Sequence, residues 1–243
     1  MKKLSSSNWT KNEEEYFSRR DEYLGEVNLS EYVDHPFVFC NRQKIAAMLT
    51  RIDLYRKVLN VQGSIVECGV HKGSSLMLYY HLSSIVEPYV WTRKVIGFDT
   101  FEGFRSISEK DPSSLSTKDF SDTSYEILDN MGKISDLNSS VSHIPKLDIV
   151  KGDAVLTIPE YVENHPELII SLLYIDFDIY EPTKTAIEHL LPLVPKGGIV
   201  VFDELNAEKW AGETKAFKEL LNLQQISLKR FSFDPMASYF QVE

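Results

Sequence analysis

The sequence predicts a doubly wound α/β fold around a mostly parallel sheet. From Ser64 onward, short runs rich in Val and Ile alternate with amphipathic stretches, the pattern of parallel strands joined by crossover helices. Each run ends in Gly, Asp or Glu, where a strand would meet a loop. The last two runs, 226–233 and 237–242, flank Asp234-Pro235 and read as an antiparallel hairpin.

Taken in order, residues 11–25 are charged with few strong apolar repeats, whereas Ile45, Met48, Leu49, Ile52, Tyr55 and Leu59 recur at helical spacing behind a cap candidate, Asn41. The front of the chain, 1–60, is therefore expected to be a helical extension of one domain spanning 1–243, with the α/β core at 61–243. Strands are expected at Ser64–Cys68, Lys94–Asp99, Leu147–Lys151, Ile169–Asp176 and Gly198–Asp203, which with the hairpin make a seven-stranded sheet. Residues 104–145 form a Ser-, Asp- and Lys-rich insertion with a weak helical pattern at 125–137; a lid, a binding loop and a disordered segment are all open readings.

Composition narrows the function. A net charge of -10 supplies no footprint for a polyanion, so nucleic acid is not an expected partner. Cys40 and Cys68 lack metal-ligand spacing, and the basic start is followed by no apolar signal core. No window reaches membrane-spanning length. A cytoplasmic protein without membrane contact is the expectation.

The first strand runs into Gly69-Val70-His71-Lys72-Gly73-Ser74-Ser75, short of the G-x-G-x-x-G dinucleotide fingerprint and unlike a Walker loop. Glu67 precedes that loop and would repel a pyrophosphate resting on helix amides. S-adenosylmethionine carries an ammonium and a sulfonium and no phosphate, so an acidic strand end suits it. Asp99, followed by Thr100, lies where an acid accepts from ribose hydroxyls, and Gly152-Asp153-Ala154 places a carboxylate for an adenine amino group. Singly, these are turn glycines and solvated acids; together they favour a cofactor pocket of Glu67, Gly69, Gly73, Ser74, Ser75, Asp99, Thr100, Gly152, Asp153, Ala154 and, at its border, Asp176.

The fourth strand ends in Asp176-Phe177-Asp178, whose acids alternate to one side, and the fifth in Asp203-Glu204. Four converging carboxylates call for a shared cation, and oxygen ligands select Mg²⁺ or another hard divalent ion. Asp176, Asp203 and Glu204 are the expected ligands. Asp176 and Asp178 are the candidate catalytic acids, with Asp178 open as a ligand or as the proton acceptor. Competing readings are helix caps or ion pairs, since Glu181-Pro182-Thr183 resembles a helix start. His71 and His143 are secondary candidates for a base, and Trp210 for stacking on a sugar or packing under a loop.

The segments I-V-E-C-G-V-H-K-G-S-S at 65–75, G-F-D-T-F-E-G-F at 97–104, Y-I-D-F-D-I-Y-E-P-T at 174–183 and V-V-F-D-E-L-N at 200–206 resemble the macrocin O-methyltransferase-like family, in order and spacing over residues 35–243. The resemblance implies a class I methyltransferase sheet with a reversed last strand, S-adenosylmethionine as donor, Mg²⁺ dependence, a sugar hydroxyl as acceptor in natural-product or glycan pathways, and homo-oligomers. By motif it assigns Glu67, Gly69, Asp99 and Asp153 to the cofactor and Asp176, Asp203 and Glu204 to the metal. Two departures stand out: many relatives have paired aspartates where this chain has Asp203-Glu204, and a Trp-Arg pair in place of His71-Lys72. Methylation of a catechol or phenol, another reaction such as hydroxylation on the same scaffold, and a binding protein with a vestigial pocket are the alternatives. A nucleic-acid methyltransferase is disfavoured, because neither [DN]-P-P-[YF] nor a Pro-Cys nucleophile is present.

Overall fold

The computed structural model describes residues 10–243; the basic start read above, residues 1–9, lies outside the described residues. The chain forms two compact units, one ending at Ala46 and one beginning at Ala47.

In the first unit, α1 (Lys11–Leu24), α2 (Leu29–Asp34) and α3 (Pro36–Phe39) pack locally. Arg20 donates through Nε and Nη2 to the Phe39 carbonyl at 3.2 and 2.8 Å, and the Tyr32 hydroxyl donates to the Leu24 carbonyl at 2.6 Å. Helix α4 (Arg42–Lys57) begins where the sequence places a cap: the Asn41 side chain accepts from the Lys44 amide at 2.8 Å.

The second unit holds β1 (Ser64–Cys68), α5 (Ser74–Val86), β2 (Val95–Asp99), α6 (Tyr125–Asp136), β3 (Leu147–Lys151), α7 (Ala154–Asn164), β4 (Ile170–Ile175), α8 (Tyr180–His189), β5 (Ile199–Phe202), α9 (Ala211–Leu220), β6 (Lys229–Arg230) and β7 (Ser238–Gln241). The sheet has seven strands in the order β3-β2-β1-β4-β5-β7-β6. Strands β1 to β5 are parallel, and β7 runs antiparallel to both β5 and β6. The expected strands therefore form, with one change: β6 is two residues long where a run of 226–233 was expected, because residues 226–228 and 231 are irregular and 232–233 bend.

Period-two alternation divides the sheet between two cores. Val66, Cys68, Leu173, Ile175, Val200 and Phe202 face α7, α8 and α9. Ile65, Leu172, Tyr174, Ile199 and Val201 face α4, α5 and α6. With helices on both faces, β1, β4 and β5 are buried along their whole length, which is why they read as continuous apolar runs.

The strand order reverses between β1 and β4, and the chain is tightest there. The Asp176 amide donates to the Cys68 carbonyl at 2.8 Å, and the Gly69 amide to the Phe98 carbonyl at 2.9 Å. Gly69 has φ +93°, and a Cβ built on it would lie 1.9 Å from the Asp176 carbonyl oxygen. Gly69→Ala is expected to cost about 2 kcal/mol or more in urea unfolding, through strain and the forced separation of the β1 and β4 ends; an unchanged midpoint would show that this close approach is dispensable.

Candidate active site

The working edge lies outside the C-terminal ends of β1, β2, β4 and β5, at the reversal of strand order where open α/β sheets bind ligands. Glu67, on the last turn of the β1 pleat, is 1% exposed and pairs across the ladder with Tyr174. Its Oε2 is buried without a hydrogen-bond partner. Burial pushes its carboxyl up to about 8, against the pull of Arg51 and of a hydrogen bond from Ser75, with Asp203 and Asp99 raising it further.

The loop after β1 turns through His71 at φ 50° and Gly73 at φ +80°, and Gly73 precedes Ser74 and Ser75 at the first turn of α5. Asp99 staples this loop to β2: one oxygen accepts from the Val70 and His71 amides at 2.8 and 2.7 Å, the other from the Phe101 amide at 2.6 Å. Thr100 shapes the next turn, its hydroxyl donating to the Gly103 carbonyl at 2.6 Å. Gly152 adopts φ 151° and donates to the Asp99 carbonyl at 2.9 Å, while Asp153 caps α7 by accepting from the Val155 amide at 3.0 Å. Ala154 is buried at the start of that helix. The residues expected around a donor thus gather at adjoining strand ends, and Asp99 and Asp153 do part of their work on the backbone.

The second group lies one strand over. Oxygens of Asp176, Asp178 and Glu204 come within 4.8 Å of one another. Glu204 Oε2 is buried and unpartnered. Asp178 sits at φ 64°, a strained conformation for a residue other than glycine. Burial, reinforced by Asp203, pushes Asp178 up to about 7, and burial with mutual repulsion raises Asp176 and Glu204 well above the carboxylate range. Asp203 stands beside this trio rather than in it: its Oδ1 accepts from the Tyr174 hydroxyl and lies 3.6 Å from the Arg51 guanidinium.

Three members of the site escaped the sequence reading. Arg51, Tyr174 and Glu213 are all buried. Glu213 accepts from the Glu204 amide at 3.0 Å and keeps its other oxygen unpartnered, and burial raises its pKa. Both charged residues carried a signal, since Arg51 falls in helical phase with Met48, Leu54, Tyr55 and Val58, and Glu213 with Ala216, Phe217 and Leu220. A charge on an apolar helical face is the pattern that marks them.

The insertion is docked at the same edge. Asp111 is buried, accepts from the Tyr180 amide at 2.8 Å and so caps α8. Asp122 accepts from Lys72 at 2.8 Å and meets His71 at 3.2 Å, and these partners hold its carboxyl below the usual range. Phe120 stacks edge-on with His71 and packs against Trp210, with ring centroids 5.6 Å apart in each pair. Trp210 is therefore buried against the insertion, and His71 is held by it. His143 is exposed ahead of β3, at the opposite edge of the sheet.

A model of the family described as macrocin-O-methyltransferase (TylF) matches residues 43–242. Among solved structures, CalS11, a calicheamicin methyltransferase, is similar at 31% identity and a TM-score of 0.88, over 96% of this chain and 93% of that one. The apo form of CalS11, described as a TDP-rhamnose 3'-O-methyltransferase of calicheamicin biosynthesis, is similar at 30% identity and a TM-score of 0.81, over 96% and 95%. The O-methyltransferase NovP shares the fold at 21% identity and a TM-score of 0.67, over 82% and 80%. A comparison with curated protein sequences gives no match. The family match takes in the whole sheet and both acid-bearing strand ends, and this chain is an O-methyltransferase belonging to the macrocin-O-methyltransferase (TylF) family.

Proposed function

We propose that this enzyme methylates a sugar hydroxyl, on a nucleotide-linked deoxysugar or a glycoside in natural-product or glycan biosynthesis, with S-adenosylmethionine as donor and a divalent cation, Mg²⁺ first, at the acid cluster. The observation that carries this reading is the convergence of Asp176, Asp178 and Glu204 beside the strand-order reversal. Likeness to CalS11, which acts on TDP-rhamnose, supports the sugar.

The residues fit both groups. On the donor side, Glu67 has a buried oxygen without a partner, suited to the ammonium of the methionyl moiety, and the loop from Gly69 to Ser75 follows directly on its strand. Asp99 and Asp153 each keep acceptor capacity beyond the amides they bind, for the ribose and the adenine amino group. On the cation side the donors are all oxygen, and Glu204 Oε2 awaits a partner. Asp176 and Glu204 would hold the ion, with Asp203, which stands beside the trio, as the third ligand.

Bound there, a hard cation supplies positive charge that favours the deprotonated acceptor hydroxyl. Asp178 takes the proton. Its oxygen lies within 4.8 Å of oxygens of Asp176 and Glu204, which puts an acceptor for the hydroxyl proton beside the proposed cation. The insertion roofs the edge through Asp111, Phe120 and Asp122, restricting water and orienting the acceptor, which is where most of the acceleration of such a displacement arises. The pocket's selectivity for one sugar is built on this roof.

Radiolabelled methyl transfer to TDP-rhamnose and to a catechol, with Mg²⁺ and with EDTA, tests the reading. Transfer to the sugar that EDTA abolishes is expected; preference for the catechol would replace the acceptor class. Asp178→Asn is expected to lower kcat about 100-fold or more while leaving donor and cation affinity nearly unchanged, and a parallel loss of cation affinity would make Asp178 a ligand instead. Because Glu67 in the free enzyme is raised to about 8, it is largely protonated at pH 7, and a donor ammonium favours its ionised form. S-adenosylhomocysteine binding at pH 7 should therefore release up to one proton, declining as the pH passes 8 and absent in Glu67→Gln, as read by calorimetry in buffers of different ionisation enthalpy.

A further inference from the structure

Arg51 lies on the buried face of α4 and is 9% exposed. Its Nε donates to the Ser75 hydroxyl oxygen at 2.9 Å, on α5. Its guanidinium lies 4.6 Å from the centre of the Tyr174 ring, on β4. It stands 3.6 Å from Asp203, beyond β5, and 3.9 Å from Asp234, in the turn before β7. Thr50, its neighbour on the helix, donates to Asp234 at 2.7 Å and holds that carboxylate in place.

Two of these partners lead onward. Ser75, with Arg51 itself, draws the Glu67 carboxyl toward its ionised form, and the Tyr174 hydroxyl donates to Asp203. Arg51 thus stands between Ser75 and Glu67 on one side and Asp203 on the other, with Tyr174 closing the far side. One end is the donor pocket and the other the acid cluster. A guanidinium is a rigid planar fork that can serve several acceptors in fixed directions, whereas an ammonium on a flexible stem is a point charge. The position calls for the fork.

Resting on the site reading above, we propose that Arg51 is a positioning residue shared by the two halves of the active site, holding Ser75 and Glu67 in place for the donor and Asp203 in place for the cation. It touches neither reactant. It acts by fixing the acids that do, and its charge lowers the cost of burying them together.

The test is separate calorimetric titration of S-adenosylhomocysteine and of Mn²⁺ into the full chain and its variants, well below their unfolding midpoints. Arg51→Lys keeps the charge and loses the fork, and is expected to weaken each ligand about tenfold, the scale of one charge-assisted hydrogen bond. Ser75→Ala should weaken S-adenosylhomocysteine alone and Tyr174→Phe should weaken Mn²⁺ alone. A purely structural arginine would lower the midpoint and leave both affinities of the folded protein at wild-type values. That result, or a loss confined to one ligand, overturns the shared role. Should Arg51→Lys fail to fold, the other two variants decide, and a wild-type affinity for the corresponding ligand in either overturns it. A wild-type protein that binds neither ligand overturns the site reading itself, a different failure from wild-type binding with indifferent variants.

Discussion

Crowded, buried negative charge is the constraint on which this site depends. Glu67, Asp178 and Glu204 are buried at neighbouring strand ends, with Glu213 of α9 against Glu204 and with Asp176 and Asp203 beside them, and burial raises the pKa of Glu67, Asp176, Asp178, Glu204 and Glu213. An uncompensated buried charge costs several kcal/mol, so such a group must be protonated, paired or bound to a cation. The chain uses pairing where it can. Asp203 has Tyr174 and Arg51, and Glu213 has the Glu204 amide. Unpartnered oxygens on Glu67, Glu204 and Glu213 remain. Such oxygens suit positively charged ligands, as the proposed sulfonium donor and divalent ion are.

The class I methyltransferase sheet creates this crowding by topology. Parallel strands all deliver their C-terminal residues to one edge, and the reversal between β1 and β4 opens a crevice between the two sets of crossover helices. The close approach of Gly69 to the Asp176 carbonyl keeps the loop after β1 and the acid cluster within reach of each other. Helix α4 then places Arg51 on the same face of the sheet as Tyr174 and Glu67, while α9 brings Glu213 in from the opposite layer. The insertion between β2 and β3 closes the edge from outside, anchored by a buried aspartate at α8 and an aromatic contact at Trp210.

Much of this was legible in the sequence, for reasons that can be located. Continuous apolar runs marked β1, β4 and β5 because helices cover both faces, and the acids closing those runs marked the working edge. The two-residue β6 was overestimated, since Ile226 and Phe231 pack against the cores without pairing. Asp203 and Asp178 could not be sorted from their spacing alone: which carboxylate meets the cluster depends on Tyr174 and Arg51, residues remote in sequence. Asp99 and Asp153 were legible as acids at strand ends, but their bonds to backbone amides arise from the loop conformation. His143 looked suited to the working edge because a single loop position does not say which end of a strand it precedes.

The cation site proposed at the acid cluster adjoins the proposed donor pocket. Anomalous scattering from crystals grown with Mn²⁺ and S-adenosylhomocysteine tests it most directly. A single strong peak among Asp176, Glu204 and Asp203, with Asp178 alongside, is the predicted result. A donor pocket filled while no peak appears at these acids would contradict it, and would leave protonation and Arg51 as the whole answer to the buried charge.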